Sequence, residues 1–470
     1  MTLTSPFTER PPARSPEPSE PSGPSEASGP SEASGPGQPS GPRQPRRPTQ
    51  PTRPRRPRLP EQSHSLDAAT LAAATPPERD RVVDFVRVAA VGVVVVGHWL
   101  LAAVTWDDDG VHGANLLASV PWAHWLTWVF QVMPLVFVAG GAANAASWAS
   151  ACRKRTSYGE WLQGRLRRLV RPAAALLATW TVGLAAADAA GTDGEVLDAA
   201  ARLIAMPLWF LAVYIPVVAV TPLSVAAHRR WGLRSTAVLL ALVGLTDLAV
   251  AQGHGWLGWS SYAWAWLLAH ELGFWWRGTR LDRRRAAALT AAGLASLVLL
   301  TTVGGYPTSM VGVPGERTNT SPPSLALVAL AVTHFGMLSL LRPRLEQWLE
   351  RPKVWPRVVV ANGFVMTAYL WHMTALAAGV VGLLATGWFP QDDPGSGAWW
   401  AWRPLWVTAL AGLLAPLVLL FARVERPRPA PTATPKKRAR RPLPAPLAAA
   451  TATALSAGLV YVALEGLPVL

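Results

Sequence analysis

Apolar and polar positions alternate along this chain on the scale of membrane spans. Eleven apolar runs lie at roughly 82–105, 124–149, 172–190, 206–227, 235–251, 259–276, 286–305, 323–341, 358–387, 404–421 and 446–469. Each is about as long as a helix that crosses a hydrocarbon core about 30 Å thick. Inside such a core every backbone amide must be satisfied within its own segment, so the runs are predicted to be helices. The predicted fold class is therefore all-α: a polytopic membrane protein with ten helices over 79–422 and an eleventh over 446–470, joined by a basic linker at 423–445. Residues 1–78 carry a Ser-Gly-Pro-Ser-Glu-Ala near-repeat and a Pro/Arg tract. That composition buries too little apolar surface to offset chain entropy, and it predicts a disordered tail.

The polar stretches between the runs are unequal. Taken alternately, the loops at 150–171, 228–234, 277–285, 342–357 and 423–442 carry 28 Lys or Arg, whereas the other five carry only Arg202, Arg317 and Arg403. By the positive-inside rule the basic set and the N-terminal tail are cytoplasmic. Eleven crossings then place the C-terminus outside. The expected location is the cell membrane.

The net charge of +15 suggests a nucleic-acid binder at first. The Lys and Arg flank apolar spans, however, so topology accounts for them and no nucleic-acid partner is expected. The single cysteine, Cys152, allows no intrachain disulfide. The histidines are too scattered for ligand spacing, and no metal is expected.

Chemistry concentrates in the first run, from Arg81 to Leu100. Ionisable groups in hydrocarbon are costly and read as functional by default, which singles out Asp84, Arg87 and His98. Eleven residues from Arg87 to His98 come to about 1100°, some 20° past three turns, so both share a face about 16 Å apart along the axis. Asp84, one turn before Arg87, joins that stripe.

Other candidates have bland readings beside functional ones. The stretch from Met133 to Asn144 is rich in small residues; it is either a close helix crossing or the wall of a pocket with Asn144 as its polar handle. Arg168 and Arg171, one turn apart, are either a positive-inside anchor or a phosphate clamp, the latter helped by a helix N-terminus expected near Pro172. His372, His334 and the His270-Glu271 pair are either packed polar groups or site residues, and Glu271 requires a partner. His112, His124 and His254 fall in or near the sparsely charged loops.

The order of these motifs resembles the acyltransferase-3 family of integral-membrane acyltransferases. The resemblance rests on Asp84-x-x-Arg87 with His98 eleven residues on, Phe137 to Gly140, Arg168-x-x-Arg171-Pro172, Leu208-Trp209-Phe210-Leu211 and Tyr369-Leu370-Trp371-His372, over about residues 79 to 422. One departure is Ala139 before Gly140, where members commonly carry serine. The resemblance implies an O-acyltransferase that moves an acyl group, expected to be acetyl, from cytoplasmic acyl-CoA to a hydroxyl of a glycan, glycolipid or other extracytoplasmic or membrane-associated acceptor. It implies His98 at the reaction centre, as general base or as carrier of a transient acyl group, supported by Arg87 and Asp84, and Arg168 and Arg171 on the donor phosphates. Asn144, Trp209, Glu271, Tyr369 and His372 become candidate substrate-pocket residues.

Two other classes stay open. A proton-coupled transporter would use Asp84, Arg87, His98 and Glu271 as a relay, but no internal repeat is evident. A membrane scaffold leaves the polar stripe unexplained.

Overall fold

The computed structural model describes residues 78–107, 110–386, 392–425 and 443–466, together with 73, 75 and 76. Nearly all of the expected tail and most of the basic linker lie outside the described residues. Among the described residues, thirteen helices have eight residues or more. In the first half they are α1 (Arg81–Leu101), α2 (Met133–Arg153), α3 (Tyr158–Ala189), α4 (Gly194–Ala205), α5 (Leu208–Trp231) and α6 (Leu233–Ala251). The second half holds α7 (Ser261–Gly278), α8 (Arg283–Thr302), α9 (Leu325–Leu349), α10 (Trp355–Asn362), α11 (Val365–Ala385), α12 (Gly397–Glu425) and α13 (Ala445–Glu465). Among the described residues, ten helical segments are long and apolar enough to cross a membrane.

Every predicted run contains a long helix. The run at 259–276 became α7, which falls outside those ten because of its polar content. It is nevertheless deeply buried, from Ser261 to Trp276, with His270 and Glu271 inside. Polar groups at membrane depth are tolerated where protein, rather than lipid, surrounds them.

Three local expectations are corrected. No helix starts near Pro172: α3 begins at Tyr158, where Ser157 and Glu160 form a capping box, and runs through the proline. The proline forfeits one intrahelical hydrogen bond, which a long packed helix absorbs, so Arg168 and Arg171 sit mid-helix without free backbone amides beside them. The run at 358–387 is broken at Gly363 and Phe364 between α10 and α11. The first run stops at Leu101, where the chain turns extended and Ala102–Asp107 pairs antiparallel with Gly110–Asn115.

Helix α1 is a run of β-branched residues with modest intrinsic helix propensity, held by its ends and its neighbours. Asp80 caps it through Oδ1, which accepts from the Val83 amide at 3.1 Å. The other oxygen of Asp80 accepts from the Trp276 indole at 2.8 Å and from Arg342 at 3.5 Å. Asn362 Nδ2 donates to the Asp84 carbonyl at 3.1 Å. The start of α1 thus meets the ends of α7, α9 and α10, where the arginine-rich loops converge. At the other end, Asn115 donates to the Gly312 carbonyl at 3.0 Å, Gln131 to that of Met310 at 3.1 Å and Arg403 to that of Ala102 at 3.3 Å. The sparsely charged loops gather there.

The small residues of α2 make a close crossing with α7. A Cβ added at Gly141 would stand 1.9 Å from the His270 carbonyl oxygen, and one at Gly273 would stand 2.2 Å from that of Val138. One turn before Gly141, Phe137 stacks on Trp266 with centroids 4.3 Å apart.

Candidate active site

The stripe on α1 divides into two parts. Asp84 is buried, and its carboxylate accepts from both Arg79 and Arg87. The Arg87–Asp84 pair is the i,i+3 contact that helical spacing predicts. It holds the Arg87 guanidinium on the arginine-rich end of the helix.

His98 is paired with a residue 274 positions away. Its Nδ1 lies 3.0 Å from Nε2 of His372, and the two imidazoles stack with centroids 5.0 Å apart. His372 Nδ1 in turn faces the carbonyl oxygen of Tyr369. A carbonyl only accepts, so Nδ1 of His372 carries its proton and the neutral ring presents Nε2 as an acceptor. His98 must then donate from Nδ1, which leaves its Nε2 with a free lone pair. The Trp99 indole donates to the His372 carbonyl at 3.0 Å and fastens the two helices beside the pair. Tyr369 is fixed separately, its hydroxyl donating to the Pro207 carbonyl at 2.8 Å.

A cavity of about 1070 Å³ borders His98 and also takes in Trp209 and Tyr369. His372 is not part of its lining and is fully buried. The second histidine therefore stands behind the first as seen from the cavity. Of the sequence candidates, Trp209 and Tyr369 reach the cavity with His98; Asn144, Glu271 and His372 do not.

Asn144 belongs to a different polar cluster, under the α2–α7 crossing. Its amide nitrogen lies 3.1 Å from both the Tyr214 hydroxyl and His270 Nε2, and its oxygen accepts from Arg165. Arg165 is within electrostatic range of Arg87 and Arg168, so three guanidinium groups gather at the arginine-rich end of the site. Arg168 and Arg171 themselves are exposed on α3.

The spacing that singles out Arg168 and Arg171 does not single out Arg165. A signal was present: Trp161, Leu162, Arg165 and Leu166 fall on one helical stripe, and the three apolar members are buried. Glu271 has the partner its burial demands, accepting from Ser235 and lying 3.0 Å from His228 Nδ1. His228 went unflagged because it precedes Arg229 and Arg230 and reads as part of a basic anchor. Those partners belong to α5 and α6 rather than to the α1 stripe. His334 bonds the Trp128 carbonyl at 2.9 Å and His124 that of Leu117 at 2.8 Å. His254 is exposed, and the side chain of His112 lies outside the description.

Compared with known proteins, residues 80–422 match the family model described as an acyltransferase domain, of the acyltransferase-3 type. No curated protein and no solved structure matches the chain. The matched segment is most of the chain and holds the Asp84–Arg87 pair, the two histidines and the arginine cluster: this chain is a membrane protein of the acyltransferase-3 family.

Proposed function

We propose that the protein transfers an acyl group, acetyl in the simplest case, from acyl-CoA on the cytoplasmic side to a hydroxyl presented from the other side of the cell membrane, with a glycan or glycolipid as acceptor. The observation that carries this reading is the oriented histidine pair. His98 lines a cavity and lies about 16 Å along α1 from Arg87, and the guanidinium cluster lies at the Arg87 end.

In this reading CoA phosphates meet Arg168, Arg171 and the neighbouring guanidiniums, for which forked, charge-assisted hydrogen bonds are well suited. The pantetheine arm carries the thioester toward His98. The acceptor oxygen attacks the thioester carbonyl while its proton passes to His98 Nε2. As the C–S bond breaks, the same nitrogen returns the proton to sulfur, leaving an ester and CoA thiol. His372 accepts from His98 Nδ1–H throughout, which keeps the ring turned and stabilises the imidazolium formed in passing.

Radiolabelled acetyl-CoA added to membranes containing the protein, followed by mass spectrometry of surface glycans and lipids, tests the reading. A mass increment of one acyl unit that depends on the protein is expected; its absence from every fraction, with no turnover of acetyl-CoA, would sink it.

Arg168→Ala and Arg171→Ala should each raise the donor KM about tenfold, the scale of one charge-assisted hydrogen bond, and leave kcat near its original value. Donor titration at fixed acceptor reads this, and an unchanged KM excludes the clamp. His372→Leu should lower kcat about ten- to a hundredfold, the scale of a hydrogen bond to a group that charges during the reaction, with donor KM unchanged. His372→Asn, whose amide both donates and accepts, should restore much of the loss. A merely structural histidine would show no such rescue and would move KM and protein yield together.

A further inference from the structure

The cavity beside His98 has a wall that lies beyond the matched acyltransferase domain. α13 follows residue 422, and its Ser456, Val460, Ala463 and Leu464 line the cavity together with residues of α1 and α5. This helix is built into the bundle. It packs along α5, Ser456 donates to the Ala212 carbonyl, and both of its ends are seated on backbone. A Cβ at Gly159 would lie 2.0 Å from the Leu443 carbonyl oxygen, and one at Gly466 would lie 3.3 Å from the Arg202 amide nitrogen.

The lining says what the chamber holds. From Ala89 to Gly97 the α1 side is Ala, Gly and Val alone, and the α5 side from Ala212 to Val220 is Ala, Val and Pro. Apart from His98 and the indoles of Trp209, Trp259 and Trp400, polar side chains on its border are engaged within the protein: Gln131 bonds Met310, Tyr262 bonds Ser321, Tyr369 bonds Pro207 and Ser456 bonds Ala212. A sugar ring placed there would leave several hydroxyls unpaired, each at substantial cost; a hydrocarbon chain would not. The volume is at the upper end of the roughly 300–1000 Å³ of ordinary ligand pockets. The cavity follows α1 for about 14 Å between His98 and Ala89. Val96, Phe130, Trp259, Val460 and Leu464 border it and are exposed, so its rim carries large apolar groups that suit contact with lipid rather than water.

We propose that α13 completes a binding chamber for the hydrocarbon chain of a lipid-borne acceptor, which reaches it from the bilayer. The acceptor hydroxyl then lies at His98 and the chain runs back along α1 toward the membrane centre, with Val460 and Ala463 setting the chain accommodated. The acceptor role rests on the acyl-transfer reading above; the chamber's occupancy does not.

Two arms separate these claims. In the first, the full-length protein in phosphatidylcholine vesicles doped with a diazirine-tailed phosphatidylcholine is irradiated, and adducts are mapped by mass spectrometry. Adducts at Val96, Val213 and Val460 should exceed those at the outward-facing Leu240 and Leu419, and should fall away in Ala463→Trp and in the milder Val460→Phe. Labelling no stronger than at the outward positions, or unaffected in whichever variant remains monodisperse, overturns the chamber. In the second, acetyl-CoA is supplied with 1-alkanols of four to sixteen carbons. kcat/KM should climb about three- to fourfold per added methylene, as for burial of each in an apolar site, up to a plateau that moves to shorter chains in Ala463→Trp. A flat profile overturns the lipid-borne acceptor. Chain labelling without turnover of any alkanol or of acetyl-CoA refutes acyl transfer while upholding the chamber, and turnover without labelling does the reverse.

Discussion

His98→Ala should lower the rate of acyl transfer by about 10²- to 10⁴-fold, the usual contribution of a positioned general base, with donor KM little changed. The geometry explains why the loss falls on the chemical step. His98 borders the cavity, while the Asp84–Arg87 pair and the arginines of α3 lie about three turns away and remain in place. The protein itself should survive the change. Removing the imidazole leaves His372 Nε2 without its partner, a cost of about 1–3 kcal/mol, yet the Asp80 cap and the Trp99–His372 hydrogen bond still hold α1. Because a cavity adjoins the vacated position, free imidazole should restore part of the rate in His98→Gly. Initial rates in membranes at matched protein level check both statements. Undiminished transfer by His98→Ala would remove the histidine from the mechanism.

Gly141→Val should prevent accumulation of the folded protein. The first atom of the new side chain would fall 1.9 Å from the His270 carbonyl oxygen, and that oxygen belongs to a helix backbone, which cannot rotate away as a side-chain tip can. Ordinary overpacking costs about 1–3 kcal/mol; here two helices must separate, so the cost exceeds that range. Separation would also pull Asn144 from His270 and Phe137 from Trp266, and would remove the surroundings that make Arg165 and Glu271 tolerable inside the bundle. Gly382→Val is the control, since a Cβ there meets nothing within 4 Å. Detergent gel filtration with a thermal ramp compares them. The Gly141 variant should aggregate or melt well below the wild type, and Gly382→Val should match it. A stable, monodisperse Gly141→Val would refute the close crossing.

His98 and Gly141 stand out in the sequence for different reasons. The spacing of Asp84, Arg87 and His98 is a property of one helix, and the 3.6-residue period assigns them to one stripe before any neighbour is known. The small residues around Gly141 announced a close approach without naming the partner. Pro172 misled: a proline at the edge of an apolar run reads as a helix start, yet Ser157 and Glu160, fifteen and twelve residues earlier, carry a capping signal strong enough to begin the helix there. Glu271 told of a missing partner by its burial cost alone, and His228 had no such cost to betray it.

What the sequence by itself determined is the succession of apolar runs, the gathering of arginines in alternate loops, the ion pair on α1 and the separation of Arg87 from His98. All of these follow from local length, hydropathy and helical pitch. Tertiary structure alone decided that His98 meets His372, that Arg165 turns inward to Asn144, that Glu271 is answered by His228 and Ser235, and that α13 walls the cavity. The physical reason is that a helix's sequence states which of its faces is polar or small, whereas the helix it meets is chosen by many weak packing contacts between segments far apart in the chain. Only when α1 and α11 are brought side by side does a half-buried imidazole acquire the neighbour that fixes its proton and leaves its other nitrogen free.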